Sequence, residues 1–317
     1  MLDLSIVIVS WNVRDLLDAC LASLQRAQFS LCGLDDRLPS AEIIVIDSDS
    51  SDGSADMVRE TYPAVQLLPQ AQNLGFSRCN NIGLARTSGR FILLLNPDTE
   101  VQPEAIGTLL DYLNANPDAG IIGPHTLNSD GSHQSTRRRF PTIWTGIFES
   151  TWLAGFAPAG MEPAYRMLDT DDCAVLDVDW VQGSALMLRR EVYRTIGGLD
   201  EAYIMYSEEL DYCRRAKQAG WRVVYHGGAF ITHHGGQSSQ QDADHSQIHF
   251  HTSKLRYFRK HHGETAYTLL RTLLLAQFGW QLALESLKGA LGHKRDLRTQ
   301  RVRRYWKVLR SGLKAKP

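Results

Sequence analysis

The sequence has 317 residues, of which 43% are hydrophobic and 22% charged, and its net charge at pH 7 is -1. This length accommodates one large domain with an appendage or two domains, and the balanced charge gives no general reason to expect a nucleic acid partner. The five cysteines form no CxxC pair, which argues against a disulfide framework and favours a reducing cytosol. We find no signal-peptide pattern and no apolar run of roughly 20 residues, so secretion and membrane spanning are both disfavoured.

The first 120 residues alternate short apolar runs with helical patterns. Leu4 to Val9 predicts a buried strand, and the apolar face of the helix expected after it consists of Leu16, Leu17, Cys20, Leu21 and Leu24. Glu42 to Ile46 and Val65 to Leu68 predict further strands, with a surface loop at residues 30–41. Ser77 to Ala85 predicts an interrupted helix, because its adjacent asparagines are poor helix formers. The alternation predicts an α/β domain with a mostly parallel sheet and helices on both faces.

The strand predicted from Phe91 to Leu95 is followed directly by Asn96-Pro97-Asp98-Thr99. Five consecutive apolar residues predict a strand that is covered on both faces, and the proline ends its hydrogen-bond ladder. Ligands of open α/β sheets gather beyond the carboxyl ends of the strands, where a carboxylate can hold a divalent cation against phosphates. The Asp98 side chain therefore has two interpretations, as a metal ligand or as part of a simple turn.

A second polar segment, Asp47 to Ser54, follows the strand that ends at Ile46. Its small polar residues could cap a helix whose N-terminus favours an anion, or the aspartates could simply be solvated. No strand end carries GxGxxG or GxxxxGK[ST], so the sequence supports neither a dinucleotide-binding Rossmann site nor a P-loop.

Four segments resemble the N-terminal half of the family 2 glycosyltransferases, and most closely the rhamnosyltransferase-like branch that builds cell-surface polysaccharides. In chain order they are SIVIVSWN, IVIDSDSSDGS, NLGFSRCNNIGL and LLLNPDTE. The resemblance continues in VDWVQGSALMLRREVYRTIGGLDEAYIMYSEELDYCRRAKQAGWRVVY and ITHHGGQS, and so covers roughly residues 4–238. It implies a GT-A fold, in which one sheet binds a nucleotide-sugar and a divalent cation, Mg²⁺ or Mn²⁺, and a following segment binds the acceptor.

On the donor side, the resemblance assigns Asp98 to the last position of a metal-binding DxD-type motif, here in the form Asn-Pro-Asp. It assigns Asp47 to the nucleoside, although Ser48 stands where the family often has Asn or Asp, which leaves the preferred nucleotide open. The other positions that it assigns to the nucleotide-sugar are Ser10, Asn12, Gly75, Asn81 and Asn96. The HHGG segment implies that His233 contacts the metal; neighbouring strand side chains face opposite ways, so His234 should point elsewhere. A structural histidine is the alternative.

A helix is predicted to begin at Glu208-Glu209-Leu210-Asp211, with Ser207 as its N-cap and Leu210, Cys213 and Ala216 toward the core. Acids in a first turn are stabilised by the helix dipole, which explains them without chemistry. The same field should keep a carboxylate ionised and able to accept a proton near neutral pH. The segment resembles the family's EDxD motif, whose second acid is the usual catalytic base. This implies Glu209 as the base, with Asp211, on another helical face, as the runner-up.

Residues 124–239 are expected to form the acceptor half, after a nucleotide-sugar half at about 1–123. Three consecutive arginines, Arg137, Arg138 and Arg139, suit a phosphate, with a solvated loop as the alternative. The acceptor-side residues that follow from the resemblance and this cluster are Trp180, Gly183, Glu208, Arg138 and Arg139. Ile143 to Ala159 is aromatic-rich and broken by glycine and proline; a lid, a lipid-contacting surface and core packing are its possible roles, with core packing slightly favoured.

Residues 240–317 are expected to form a separate helical region after a glycosyltransferase domain at 1–239. His245, His249 and His251 have a metal-like spacing, but no carboxylate pattern completes it. A basic helix with tryptophan and tyrosine on its apolar side, around residues 294–310, is typical of an interfacial membrane helix. Packing on the main domain or on a homodimer partner is the alternative. We lean toward the membrane, since a polyprenyl-linked acceptor would be presented there.

Together these features predict a metal-dependent glycosyltransferase on the cytoplasmic face of the cell membrane, and the family resemblance implies that it inverts the anomeric configuration. It would move a sugar, with rhamnose as a candidate, from a nucleotide-diphosphate donor to a saccharide or polyprenyl-linked acceptor. A sugar-nucleotide pyrophosphorylase is one alternative, but SWNVRD after the first strand is not its Gly-rich basic loop. A non-catalytic nucleotide-sugar-binding or scaffold protein is the other, because fold alone does not decide function.

Overall fold

The structure is a computed structural model, and it describes residues 2–27, 29–31, 38–149, 151–235, 243–292 and 294–315, without the side chains of residues 243–245. The chain divides into two compact units. We call the first the sheet unit; it comprises Met1–Phe140, Arg166–Glu201 and Glu208–Ser238. We call the second the helical unit; it comprises Pro141–Tyr165, Ala202–Ser207 and Ser239–Pro317. Two short segments that precede residue 239 therefore belong with the C-terminal helices.

The sheet unit is built on one mixed sheet, to which eleven of its thirteen described strands belong. In chain order the strands are β1 (Leu4–Ser10), β2 (Ser30–Leu31), β3 (Ser40–Asp47), β4 (Gln66–Pro69), β5 (Phe91–Leu95), β6 (Thr99–Val101), β7 (Ala119–Leu127), β8 (His133–Gln134), β9 (Arg137–Arg138), β10 (Val175–Val178), β11 (Trp180–Val181), β12 (Ala185–Arg189) and β13 (Arg222–His233). Strands β9 and β11 pair only with each other.

The strand order brings several chain segments to one edge of the sheet. The order is β10-β13-β7-β12-β5-β1-β3-β2, and β1 runs parallel to both β3 and β5. Strand β12 is antiparallel to both β5 and β7, and β13 is parallel to β7. The carboxyl ends of β1, β3, β5 and β13 and the start of β12 consequently share one edge, which we call the site edge.

The helices in chain order are α1 (Arg14–Gln25), α2 (Ser54–Thr61), α3 (Phe76–Leu84), α4 (Ala105–Ala115), α5 (Ile143–Phe148), α6 (Met161–Arg166), α7 (Arg190–Ile196), α8 (Glu208–Gln218), α9 (Ala243–Ala290) and α10 (Arg295–Ser311). Helices α5, α9 and α10 lie in the helical unit, and α9 is interrupted at Gly263, where φ is 88°. None of the helices in the described ranges is both long and apolar enough to cross a membrane.

The sheet is covered on both faces, as the apolar runs predicted. Every residue of β5 is buried; Phe91, Leu93 and Leu95 pack on one face with α1 and α4, whereas Ile92 and Leu94 pack on the other. This division follows from the two-residue period of a strand. Helix α8 packs its buried Cys213 and Ala216 against that second face. Leu210 is buried as well, as expected.

Two predicted elements were wrong. Helix α3 is continuous, because its asparagines satisfy their amides without breaking it: the Asn80 amide donates to the Phe76 carbonyl at 3.0 Å, and the Asn81 amide to the Leu199 carbonyl at 2.9 Å. The predicted loop at residues 30–41 contains β2 and the start of β3, which pair in parallel. Its residues 32–37 lie outside the described part of the chain.

Candidate active site

The ends of β1 and β3 form the first part of the candidate site. Ser10 and Asp47 are buried and face each other in the parallel register. One oxygen of the Asp47 carboxylate accepts the Ser50 backbone N–H at 3.0 Å; the other, like the Ser10 hydroxyl, has no partner among the described residues. Buried polar atoms are almost always hydrogen-bonded, so these two are open to a polar ligand.

Asn12 and Asn81, two of the residues predicted to contact the nucleotide-sugar, form hydrogen bonds that connect neighbouring loops. The Asn12 side-chain oxygen accepts the Ser51 N–H at 2.7 Å and so joins the β1 loop to the β3 loop. The Asn81 amide binds the Leu199 carbonyl and the Glu201 carboxylate, while its oxygen accepts the Leu199 N–H at 2.8 Å. Asn81 therefore has a positioning role. Its side-chain amide, which the resemblance assigned to the nucleotide, is already hydrogen-bonded to other parts of the chain.

Gly75 precedes α3 with a φ of 79°. This backbone conformation favours glycine, because a side chain at positive φ is strained. Its predicted position beside the nucleotide motif thus has a purely conformational explanation as well.

The ends of β5 and β13 bring Asp98 and His233 together. Both side chains are mostly buried, and the distance from the Asp98 Oδ1 atom to the His233 Nε2 atom is 3.3 Å. The other ring nitrogen of His233 lies 2.7 Å from the Gln134 side-chain oxygen, so it carries the proton in this contact. With that proton on Nδ1, the Nε2 atom of the ring faces the Asp98 carboxylate. Two acceptors at this distance require a proton or a cation between them.

His234 points away from this pair. Its Nε2 atom lies 2.9 Å from the Glu100 carboxylate and its Nδ1 atom 2.8 Å from the Ser129 hydroxyl. As the alternation of strand side chains requires, only His233 faces Asp98.

The Asp98 and His233 pair fits a hard divalent cation as a partial ligand set. Adjacent ligands around one such ion lie about 3 Å apart when each ligand distance is about 2.0–2.1 Å, close to the separation of the two atoms here. The described residues contain no group of three or more histidine, cysteine or acidic side chains that could hold a metal. A cation such as Mg²⁺ commonly takes one or two protein carboxylates and completes its shell with phosphate and water. The buried, unpartnered Asn96 side-chain oxygen lies two residues from Asp98.

Helix α8 brings the acids Glu208 and Glu209 to the same site edge. A Cβ atom built on Gly183 would lie 3.4 Å from the Glu209 Cβ and 3.7 Å from its carboxyl carbon, so the chain before β12 passes in van der Waals contact with the Glu209 side chain. Residue 184 follows directly, and its carbonyl accepts the Asn96 N–H at 2.9 Å. The loop that carries Asp98 and the helix that carries Glu209 thus meet through residues 183 and 184.

Burial dominates the electrostatics of this acid pair. It raises the pKa of Glu208 well above its ordinary value, and it raises the pKa of Glu209 in the same direction. One carboxylate oxygen of each residue is buried without a partner among the described residues. The expectation that the helix dipole would keep these acids readily ionised was therefore wrong. Desolvation outweighs the dipole, which leaves Glu209 a stronger proton acceptor than an exposed glutamate.

Arg138 and Trp180 lie beside Glu209. They face each other in the β9–β11 pair, with the Arg138 guanidinium 6.0 Å from the indole centroid. The positive charge of Arg138 partly offsets the rise that burial causes in the pKa of Glu209. The Trp180 indole donates to the Arg139 carbonyl at 2.9 Å, whereas the Arg139 side chain is exposed.

The three consecutive arginines do not form one basic cluster. Arg137 is buried, and its guanidinium binds the Asp172 carboxylate at 2.6 Å and the Thr170 carbonyl at 2.9 Å. The Arg137 side chain is therefore committed to the interior. The Arg138 guanidinium donates to the Ser135 hydroxyl at 2.7 Å and to the Arg137 carbonyl at 2.9 Å.

A family model described as Glycosyl transferase family 2 matches residues 5–197, more than half of the chain. The chain belongs to this family. N-acetylglucosaminyl-diphospho-decaprenol L-rhamnosyltransferase of Mycobacterium tuberculosis is 29% identical to this glycosyltransferase over 242 residues, which cover 70% of this chain and 76% of the relative. Rhamnosyltransferase WbbL of Escherichia coli is 26% identical over 159 residues, which cover 48% of this chain and 57% of the relative.

A solved structure shares the fold of this glycosyltransferase. Mannosyltransferase PcManGT from Pyrobaculum calidifontis, in complex with GDP-Man and Mn²⁺, has a TM-score of 0.57 and 14% sequence identity, and the match covers 99% of this chain and 87% of that chain. At this identity the match shows the fold alone. The GT-A fold and the rhamnosyltransferase-like relatives implied by the motifs are thereby confirmed.

Asp211, the runner-up base, has a different environment in this glycosyltransferase. Its carboxylate is fully buried and accepts the Arg215 guanidinium at 2.8 Å. Arg215 also donates to the Ile196 and Gly198 carbonyls, at 2.7 and 2.8 Å. The pair fastens α8 to the end of α7, which gives Asp211 a structural task.

Sequence reasoning missed the residue that orients His233. Gln134 lies 99 positions away along the chain, on the two-residue strand β8, and no motif or period marks it. Only the pairing of β8 with β7, beside β13, brings this amide to the histidine.

Proposed function

We propose that this glycosyltransferase moves a hexose or deoxyhexose, with rhamnose as the first candidate, from a nucleoside diphosphate to a saccharide on a lipid-linked acceptor, with inversion at the anomeric carbon. The observation that carries the proposal is the buried, unpartnered carboxylate oxygen of Glu209 against Gly183, at the edge where Asp98 faces His233. The names of the relatives, rhamnosyltransferases of which one acts on a diphospho-decaprenol acceptor, support the sugar and the acceptor.

On the donor side, Ser10 and Asp47 offer buried oxygens to the hydroxyls and ring nitrogens of a nucleoside. Asp98 and His233 would hold Mg²⁺ or Mn²⁺, with His233 oriented by Gln134 through its second ring nitrogen. A bound cation would act as a Lewis acid that stabilises the charge developing on the leaving diphosphate.

On the acceptor side, Glu209 takes the proton of the attacking hydroxyl. The acceptor oxygen forms a bond to the anomeric carbon while the bond from that carbon to the diphosphate oxygen breaks, and the proton stays on the carboxylate. One displacement from the face opposite the leaving group inverts the anomeric configuration. Arg138 and Trp180, beside the base, would position the acceptor through charge and an aromatic face.

Product analysis tests this proposal. The full chain is incubated with nucleotide-diphosphate sugars, including a rhamnose donor, and a diphospho-lipid carrying N-acetylglucosamine. We expect transfer that requires Mg²⁺ or Mn²⁺, stops with a chelator, and yields by NMR a glycosidic bond of inverted configuration. Retention of configuration, or full turnover with the cation removed, would contradict the proposal.

We also propose that the helical unit binds an anionic membrane surface. After Gly263, one face of α9 is exposed and uncharged. It consists of Leu269, Thr272, Ala276, Trp280, Ala283 and Leu287. Side chains at this spacing line one side of a helix, and an apolar stripe of about 25–30 Å in water marks an interaction surface. We call it the α9 stripe.

The charge beside the α9 stripe argues for lipid as its occupant. Helix α10 is joined to α9 by the Glu285 carboxylate, which binds Arg298 at 2.5 Å and lies 3.7 Å from Arg301. Its exposed residues include Arg295, Arg301, Arg303, Arg304, Lys307 and Arg310, together with Trp306. Apolar residues next to a basic helix match an anionic bilayer, in which acyl chains lie beneath phosphate headgroups.

Vesicle binding tests this surface. Leu287→Ser removes one apolar side chain that is 59% exposed, and Leu168→Ser in the sheet unit, at 54% exposure, is the matched control. With vesicles of phosphatidylcholine and phosphatidylglycerol, we expect Leu287→Ser to bind about tenfold more weakly and the control to bind normally. Equal binding by all three proteins would refute the membrane surface. So would light scattering that shows a dimer of the parent chain which Leu287→Ser dissociates.

A further inference from the structure

The helical unit contains an open cavity of about 490 Å³ that the proposed chemistry does not use. Its lining includes the rings of Tyr206, Phe250, Phe278 and Tyr305 and the polar side chains of Gln247 and His251. The volume falls in the range of small-molecule binding sites, about 300–1,000 Å³.

The rings form a continuous wall. Tyr206 meets Phe250 edge to face at 5.8 Å between ring centroids, and Phe250 meets His251 at 5.3 Å. His251 meets Phe278 at 5.1 Å, and Phe278 meets Tyr305 at 5.8 Å. Because each ring is held by its neighbours, the wall is a preformed aromatic surface, and little order has to be gained when a ligand packs on it.

Two polar atoms of the wall have no protein partner. The Gln247 side-chain oxygen and the His251 Nδ1 atom are both buried, and neither has a hydrogen-bond partner within the described ranges. A buried unpaired polar atom is costly, so these positions favour a ligand that can bond to them. A hydroxyl suits both, because it donates and accepts.

The cavity offers no charge to a ligand. None of its described lining residues is acidic, lysine or arginine. Burial lowers the pKa of His251 to about 4, so the imidazole is neutral at physiological pH. A phosphate or a carboxylate would enter without a counter-charge and could only accept hydrogen bonds, which disfavours anionic ligands.

We propose that this cavity binds a neutral saccharide, with the apolar face of a pyranose ring on the aromatic wall and hydroxyls on Gln247 and His251. We call it the saccharide cavity. The combination of aromatic faces, uncharged hydrogen-bonding groups and unpaired buried atoms matches a ring with apolar C–H faces and a rim of hydroxyls. The site consists of helical-unit residues alone.

The saccharide cavity deepens the proposed function, because a saccharide acceptor or product supplies the neutral sugar that the cavity fits. Tyr206 lines the cavity and lies two residues before Glu208 along the chain. Its φ of 70° is uncommon for a residue other than glycine. The saccharide bound here is then a sugar of the acceptor or of the product chain, an assignment that rests on the proposed function. Binding of neutral saccharide itself does not.

Saturation-transfer NMR on the full chain tests the inference. The probes are the methyl glycosides of rhamnose and N-acetylglucosamine and a neutral disaccharide of these sugars, with inorganic phosphate and a nucleoside diphosphate as charged competitors. Gln247→Leu removes the unpartnered side-chain oxygen at similar size, and Gln300→Leu, at an exposed glutamine of α10, is the matched control. Phe250→Ala is a second variant, which removes part of the wall.

We expect at least one neutral probe to receive saturation and neither charged competitor to displace it. Gln247→Leu should weaken that binding about fivefold or more, Phe250→Ala should weaken it further, and Gln300→Leu should leave it unchanged. Absence of binding by all probes, equal binding by Gln247→Leu and Gln300→Leu, or displacement by the nucleoside diphosphate would overturn the inference. Because no turnover is measured, these results are independent of Glu209, and the Glu209→Gln protein should bind the same probes.

Discussion

At the residue level, the proposed chemistry depends most on the two neighbouring acids at the start of α8, Glu208 and Glu209. Glu208 is buried and Glu209 is half-buried, one carboxylate oxygen of each is buried without a partner among the described residues, and burial raises the pKa of each. Two such acids are expensive to keep charged at neutral pH, and within the described ranges one oxygen of each has no hydrogen-bond partner to offset the cost. Side chains retained at this expense commonly serve chemistry, as the base in a transferase must.

The pH dependence of stability follows from the sign of the Glu208 shift. The folded protein holds the Glu208 proton to a higher pH than the unfolded chain, whose value is near the ordinary 4.5. The contribution of this residue to the free energy of unfolding is therefore intact below pH 4.5 and lost as the pH rises through the raised pKa. Glu208→Gln should equal the parent at acid pH and become increasingly more stable above it.

Denaturant unfolding at a series of pH values measures this difference. Glu191→Gln, at an exposed acid in the first turn of α7, is the control and should track the parent throughout. A Glu208→Gln advantage that shrinks as the pH rises would show that the burial argument is wrong in sign.

Residue roles were predictable from the sequence only where a motif carried them. The motifs brought Asp98, His233 and Glu209 forward, and the structure gathers these at one edge of the sheet. The motifs also identified Asn81, whose side-chain amide is hydrogen-bonded to the loop after α7. Motif matching reports that a position is constrained, but it cannot separate a ligand contact from a structural hydrogen bond.

At the scale of elements, the site depends on where strands end and on how α8 is fixed. Strands β1, β3 and β5 end together because they are parallel neighbours. Helix α8 comes to the same edge through Gly183 and is fastened behind by the Asp211 and Arg215 pair. Asp211 thus helps to hold in place the helix that carries Glu209.

Asp211→Asn should destabilise the protein by about 3 kcal/mol, because it leaves a partly buried guanidinium without its carboxylate while the two carbonyl partners remain. Chemical denaturation of the variant beside Asp111→Asn, at an exposed position of α4, gives the number. Folded Asp211→Asn should keep turnover within about tenfold of the parent, since a base loss costs about a hundredfold or more. A fully stable but inactive variant would restore Asp211 as a candidate base.

Element prediction succeeded where one physical signal dominated. The run from Phe91 to Leu95 could only be a strand buried on both faces, and β5 has these bounds. It failed in α3, where weak helix propensity suggested a break but the tertiary contacts of Asn81 stabilise a continuous helix. It also failed for the aromatic segment after Pro141, where core packing was slightly favoured. Trp144, Trp152 and Phe156 are each more than half exposed.

At the scale of the whole molecule, chemistry and attachment belong to different units. Every residue assigned to the donor, the cation or the base lies in the sheet unit. The α9 stripe and the saccharide cavity lie in the helical unit. Composition predicted the basic C-terminal helices. It did not predict that residues 141–165 and 202–207 belong to the same unit, because unit membership depends on contacts between residues that are distant in sequence.

The central claim is that Asp98 and Glu209 serve one reaction with separate tasks. Calorimetry with nucleoside diphosphates and Mn²⁺, followed by single-turnover transfer on the same samples of parent, Asp98→Asn, Glu209→Gln and Glu191→Gln, tests it most directly. We predict that Asp98→Asn loses at least about tenfold in Mn²⁺-dependent affinity. Glu209→Gln should keep that affinity and transfer about 10²–10⁴-fold more slowly, with Glu191→Gln unaffected in both. Unchanged affinity in Asp98→Asn, or normal transfer by Glu209→Gln, would contradict the account.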